Sequence, residues 1–362
     1  MSQVPLYLDL LAAPLDKHKD FLIRFGNLES KLLTYDIEDI KIEKPVFISG
    51  LARSGSTILV EILASHPDVS SHQYRDYPYL HVHYFWNIVR MFVPSTDKKV
   101  ERAHKDRLMI NAGSPEALEE MLWTSFFKDL HTPEQNAVLS ENTQNKDFEN
   151  FYKDNIRKNL YLRKRKRFAC KNNYNLTRIK YLKKLFPDAR FIIPVRLPEE
   201  HIASLVKQNK LFRDAQKDDE RSKRYTKRLE HYEFGYDFRP LNTGNPEEIA
   251  TIQSLWEKEE YTLAYAHYWN ALHLYIADIL KDPELQGSVK LVRYDDFCNT
   301  PAKTIEDITT FCALTPKSED WIQNWAKDIS APTYYKPDFP EDIRAQIKEI
   351  TAPAQNLLWK DK

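Results

Sequence analysis

Residues 46–69 read VFISGLARSGSTILVEILASHPDV, and the order of features within them decides the fold. Pro45-Val46-Phe47-Ile48-Ser49 is a brief apolar run with the composition of a buried strand. A loop bounded by Gly50 and Gly55 follows, and from Ser56 onward Ile58, Leu59, Ile62 and Leu63 recur at helical spacing. The same change of period occurs twice more. Arg190-Phe191-Ile192-Ile193-Pro194-Val195-Arg196 reads as a second buried strand, and Pro198-Glu199-Glu200 supplies a proline and two acids for the first turn of a helix. Pro194 is awkward inside a strand and blurs its ends. Val289 to Tyr294 forms a third run, followed by a helical segment up to Phe311. Short strands separated by helices predict an α/β fold with a central parallel sheet covered on both faces.

Working outward, the chain has 362 residues, 42% of them hydrophobic, so it is long enough to bury a large core. Its 53 basic and 53 acidic side chains cancel, which gives no electrostatic reason to expect nucleic acid or an anionic membrane as partner. Affinity for anions must then be local. No apolar run approaches the ~20 residues of a membrane span, and the N-terminus lacks the basic n-region of a signal peptide. Cys170, Cys298 and Cys312 are odd in number and lack CxxC spacing, as expected of buried structural thiols in a reducing, cytoplasmic setting. Long polar helical stretches are expected over 97–131, 147–163 and 207–233. The absence of repeats and low-complexity linkers favours one domain over residues 1–362 rather than two, with a core over about 44–315, a helical insertion over about 207–275 and a C-terminal helical extension over 316–362. The basic run Arg163 to Arg167 reads as an anion patch, a targeting signal or, more simply, a solvated connection into the next strand.

Two of only seven glycines fall in Gly50-Leu51-Ala52-Arg53-Ser54-Gly55-Ser56-Thr57. Glycine lets the backbone turn its N–H groups inward, and the helix N-terminus behind the loop adds unsatisfied donors, so the segment suits a phosphate. The spacing nearly matches the triphosphatase pattern GxxxxGK[ST], but Ser56 stands where the lysine belongs. Arg53 is the nearest replacement cation, able to fork across two oxygens. From these residues a phosphate loop and a plain strand-to-helix turn with a surface arginine both remain possible.

The stretch 46–69 resembles the 5′-phosphosulfate motif of sulfotransferases that use 3′-phosphoadenosine 5′-phosphosulfate, in the branch with Arg in the loop that includes tyrosylprotein and many bacterial enzymes. FPDARFIIPVRLPEEHIASLVKQ (186–208) resembles the family's second signature, and VKLVRYDDFCNTPAKTIEDITTFCALT (289–315) its late strand-helix segment. The resemblance implies a P-loop-like three-layer fold and sulfuryl transfer to an acceptor hydroxyl. It implies that Arg53, Ser54, Gly55, Ser56 and Thr57 hold the 5′-phosphosulfate and that Arg196 and Ser204 bind the 3′-phosphate. Lys171, in RFACKNNYNLTRIKYL, stands where the family often places a basic residue near the transferring group; a solvated strand-end lysine is the bland alternative.

Sulfuryl transfer is an in-line attack with charge spread over equatorial oxygens, so catalysis is mostly positioning and electrostatics. A sulfate ester carries one charge fewer than a phosphate monoester, and no metal is expected. The acceptor hydroxyl needs a base, which the family places after the first helix or on a following strand. HPDVSSHQYRDYPYLHVHYFWN (66–87) offers Asp76 first, then His72, with His81 and His83 behind. Aromatic neighbours are expected to raise the Asp76 pKa; the rival reading pairs Asp76 with Arg75 or another arginine. Tyr77, Tyr79, Tyr84, Phe85 and Trp86 line an acceptor pocket or pack a core. No glutamate stands where the tyrosylprotein enzymes carry theirs. The acceptor is read as a small molecule or carbohydrate. A nucleotide kinase or triphosphatase, and a non-catalytic adenine-nucleotide-binding protein, are the competing functions.

Overall fold

The computed structural model describes residues 4–91, 100–101, 109–331 and 337–360. Five strands, β1 (Val46–Ile48), β2 (Val69–Ser70), β3 (Arg167–Lys171), β4 (Arg190–Val195) and β5 (Val289–Arg293), form one sheet in the order β2-β3-β1-β4-β5. Every pairing is parallel. Parallel strands need crossovers, and helices supply them. The ones that bear on function are α1 (Ser56–Ala64), α2 (Lys146–Arg163), α3 (Pro198–Gln216), α4 (Glu220–Arg228), α5 (Tyr261–Lys281), α6 (Tyr294–Asn299), α7 (Pro301–Phe311) and α8 (Glu341–Leu358).

Alternation along the strands divides the interior in two. Phe47, Phe168, Cys170, Phe191 and Ile193 face one buried cluster, which contains α2, α5 and α8 residues. Val46, Ile48, Ala169, Ile192 and Val292 face the other, with Leu59, Leu63, Ile305 and Ile308. Both sheet faces are therefore covered, as the near-continuous apolar strands require. Pro194 is accommodated because β1 pairing ends at Ile48–Ile192, so its missing N–H falls where β1 has already left the sheet.

The helical expectation over 147–163 corresponds to α2, but two others need correction. Residues 207–233 are broken after α3, because the Asp219 side chain accepts from the N–H groups of Arg221 and Ser222 and starts α4 afresh. Within 97–131, Val100–Glu101 and Met109–Ile110 form an antiparallel ribbon, and helix appears only at Glu120–Phe126; residues 97–99 and 102–108 lie outside those described. The run 163–167 connects α2 to β3 with Lys164, Arg165 and Lys166 exposed, as the solvated-connection reading expects, while its arginines also make specific contacts. Arg163 pairs with Asp76, Arg165 donates to Pro67 O, and Arg167 donates to the carbonyls of Lys44, Cys312 and Ala313.

Candidate active site

Ser49 N–H still donates to Ile192 O at 3.0 Å, and the chain then leaves the sheet at Gly50. A Cβ on Gly50 would lie 2.9 Å from Pro194 O and 3.5 Å from Ser54 Oγ, filling the cradle that the loop encloses. Arg53 and Gly55 take φ of 72° and 99°. Such left-handed positions turn backbone N–H groups toward a common centre. The first turn of α1 behind them carries no side-chain cap, and the buried Ser54 Oγ has no partner among the described residues. An uncapped helix start beside an unpartnered buried hydroxyl fits an anionic oxygen.

Three further segments converge on this loop. From α3, His201 Nε2 donates to Ala52 O at 2.8 Å, and Ser204 Oγ accepts from Arg53 Nε at 3.4 Å. Burial, reinforced by the neighbouring His273, holds the His201 pKa well below its ordinary value, so the ring stays neutral with its proton on Nε2. At the end of β5, the Tyr294 ring covers Gly55 so closely that a Cβ there would meet it at 2.6 Å. The Arg196 guanidinium lies 5.2 Å from the centre of the same ring. At the end of β3, half-buried Lys171 stands in register with Ile48, and Ser56 Oγ donates to Asn173 Oδ1 at 3.5 Å. Arg53, Ser54, Gly55, Ser56, Thr57, Lys171, Arg196 and Ser204 thus all sit at or just beyond the C-terminal edge of three adjacent strands. Ligand crevices of open α/β sheets form at this edge, where the loops from the central strand and its neighbours part.

The residues expected to supply the base are placed otherwise. Asp76 is fully buried; its Oδ1 accepts from Arg163 Nη2 at 2.7 Å and Asn87 Nδ2 at 2.8 Å, and its Oδ2 from Gln73 N at 2.8 Å. Burial works to raise its pKa, but Arg163, His83, His72 and the Gln73 N–H outweigh it and the net direction is down. The expected rise is overturned, and the geometry supports the ion-pair reading with Arg163 as the arginine. His72 is enclosed by Phe168 and His83, with Nε2 3.6 Å from Glu119 Oε1. His81 bonds Ser125 Oγ at 2.9 Å, and burial drops its pKa to about 3. His83, also buried, is held well below the ordinary range by desolvation. Of the aromatic residues nearby, Trp86 donates to the carbonyls of Arg75 and Tyr77 and packs on Tyr79, while Tyr84 stacks on Tyr161. These are packing contacts, made by side chains that remain half-buried.

Sequence reasoning missed His201, Asn173 and Tyr294. The first lies inside the second signature, and Tyr294 directly follows a strand already recognised. The paired amides Asn172-Asn173 at a strand end were a signal of polar work in a buried place. Asn172 Nδ2 donates to Glu120 Oε2 at 2.8 Å, and Glu120 is in turn forked by Arg178 at 2.7 and 2.8 Å. Burial opposes ionisation of Glu120, yet Arg178 and His131 depress its pKa and fix it as a carboxylate bracing the exit of β3. A cavity of about 450 Å³ lined by Glu61, Ser70, Gln73, Asn111 and Arg163 lies by the edge strand, reaching the far end of α1 at Ser65. The loop, with its converging donors, is the arrangement that suits an anion.

A model described as "Sulfotransferase family" matches residues 45–241, more than half of the chain. The chain belongs to the sulfotransferase family. Its chemistry is sulfuryl transfer. The fold of this sulfotransferase is similar to that of a sulfotransferase from Mycobacterium avium, at 15% identity over 92% of this chain and 82% of that one, with a TM-score of 0.52. A sulfotransferase from Mycobacterium tuberculosis H37Rv matches at 15% identity over 94% and 86% of the two chains, with a TM-score of 0.49. No curated protein matches the chain. Among the described residues, no helix of this sulfotransferase is long and apolar enough to cross a membrane.

Proposed function

We propose that this sulfotransferase takes its sulfuryl group from 3′-phosphoadenosine 5′-phosphosulfate and passes it to a hydroxyl of a small molecule or carbohydrate, releasing 3′,5′-adenosine bisphosphate. The observation that carries this reading is the Arg53–Ser204 contact at 3.4 Å, which joins the two signature segments into one site. The loop N–H groups, Ser54, Ser56 and Thr57 receive the 5′-phosphosulfate, with Arg53 neutralising charge on the leaving phosphate. Arg196 and Ser204 receive the 3′-phosphate, and Lys171 faces the transferring group. Three free thiols fit a reducing, cytoplasmic setting.

The test is calorimetric titration of 3′,5′-adenosine bisphosphate, AMP and ADP. The bisphosphate should bind more tightly than either, and Arg196→Ala should erase that preference by removing a charge-assisted bond of roughly 1.5–3 kcal/mol. Equal affinity for all three in the wild type would sink the donor assignment. Strict dependence of turnover on Mg²⁺ would favour a kinase.

A further inference from the structure

The loop's serine is linked through an asparagine amide to a carboxylate that nothing above has used. Ser56 Oγ donates to Asn173 Oδ1, and Asn173 Nδ2 donates to Glu233 Oε1 at 2.9 Å. Asn173 is 8% exposed, so its amide is fixed between the two, whereas Glu233 is half-buried and open to a ligand. We propose that Glu233 is the catalytic residue that takes the proton from the acceptor hydroxyl, with Asn173 as the positioning residue that ties it to the loop. The inference rests on the donor reading given above.

Four hydrogen bonds hold the Glu233 backbone segment. Tyr232 N–H donates to Tyr174 Oη at 2.7 Å, and Tyr265 Oη donates to Glu233 O at 3.1 Å. Gly235 N–H donates to Asn209 Oδ1 at 2.9 Å, and Tyr236 N–H to Gln216 Oε1 at 3.2 Å. Asn209 and Gln216 are on α3, the helix whose His201 and Ser204 grip the phosphate loop, so carboxylate and loop share one rigid support. Among the described residues the Glu233 carboxylate meets no cation, and Asn173 is its sole hydrogen-bond partner. Two buried acids near this edge are committed elsewhere. Glu120 is forked by Arg178, and Glu119 is 1% exposed and bonded by Tyr152, Cys170 and Asn175. A partly exposed carboxylate on a braced loop, within hydrogen-bond reach of a group touching the phosphate loop, has the placement a general base needs.

In the step, an acceptor lone pair forms the new O–S bond while the acceptor O–H bond breaks and its proton goes to a Glu233 oxygen. The bond from sulfur to the bridging oxygen breaks, and its electron pair leaves with 3′,5′-adenosine bisphosphate. Charge and atoms balance without a further reactant.

Because water can serve as the acceptor probe, the experiment measures hydrolysis of the donor by the full chain. Glu233→Gln and Glu233→Ala should each slow it by roughly 10²–10⁴-fold, with wild-type affinity for 3′,5′-adenosine bisphosphate by calorimetry. Added formate should restore part of the rate to Glu233→Ala alone, which lost packing or lost stability would not allow. A wild-type rate in Glu233→Gln, or a slow Glu233→Ala that binds the bisphosphate normally and ignores formate, would overturn the inference. Failure of the wild-type chain to bind the bisphosphate would be seen before any variant is made and would remove the donor reading on which the inference stands.

Discussion

Arg53 concentrates two demands on one position. Its backbone is left-handed at φ 72°, a conformation that costs a non-glycine residue about 1–2 kcal/mol, and in the proposed site its side chain must still reach the anion. Glycine would suit the backbone better, so the retained side chain points to charge and hydrogen bonding as the reason for arginine. Replacing Arg53 by Ala should weaken donor binding by roughly 1.5–3 kcal/mol, the worth of a charge-assisted bond. Arg53→Lys should recover part of this, because it keeps the charge without the fork. Arg53→Gly separates the two demands: it should raise thermal stability while losing affinity as Ala does. Undiminished affinity in the Ala variant would remove Arg53 from the site.

At the scale of elements, α3 acts as a clamp, touching the loop at Ala52 through His201 and at Arg53 through Ser204. His201→Ala would leave the Ala52 carbonyl without its donor, a loss of about 1–3 kcal/mol for a buried group. The expected outcome is lower stability together with weaker binding of 3′,5′-adenosine bisphosphate, and His201→Gln should restore both in part by offering an amide donor. A destabilised variant with unchanged affinity would mean that the clamp does not shape the site. Strands β1, β4 and β5 and the loop were legible in the sequence because their signals are local: a change of period at Ser56, two glycines, a proline at helix position one; the two-residue edge strand β2 carries no such signal. What failed was whatever depends on partners distant in sequence. Arg163 and Asp76 are 87 positions apart, and only the folded chain reveals that one neutralises the other. The same holds for Glu233, which reaches Asn173 across 60 residues from the segment after α4.

For the whole molecule, the balance of 53 basic and 53 acidic residues means that general charge repulsion is small near neutral pH. The first response to acid should then come from buried groups. His81, His83, His201 and His273 are all pushed down, chiefly by desolvation, with His81 and His273 at about 3. A histidine whose folded pKa is depressed stays neutral in the native state while its unfolded counterpart protonates below about 6.5, so the unfolded chain binds more protons there. Stability is full above that pH and falls as pH drops, by about 1.4 kcal/mol per such histidine per pH unit until the folded pKa is reached. Asp76 and Glu120, whose folded pKa values are also lowered, contribute stability above the ordinary carboxylate range and lose it only at lower pH still. Urea midpoints measured from neutral pH downward should therefore decline in two stages, a histidine stage first and a carboxylate stage after it. Phenylalanine at position 81 keeps an apolar ring in the core and removes one titrating group, so His81→Phe should flatten the first stage and spare the second. A midpoint that stays level until the carboxylate range would show that these histidines become exposed to water and titrate normally in the native protein.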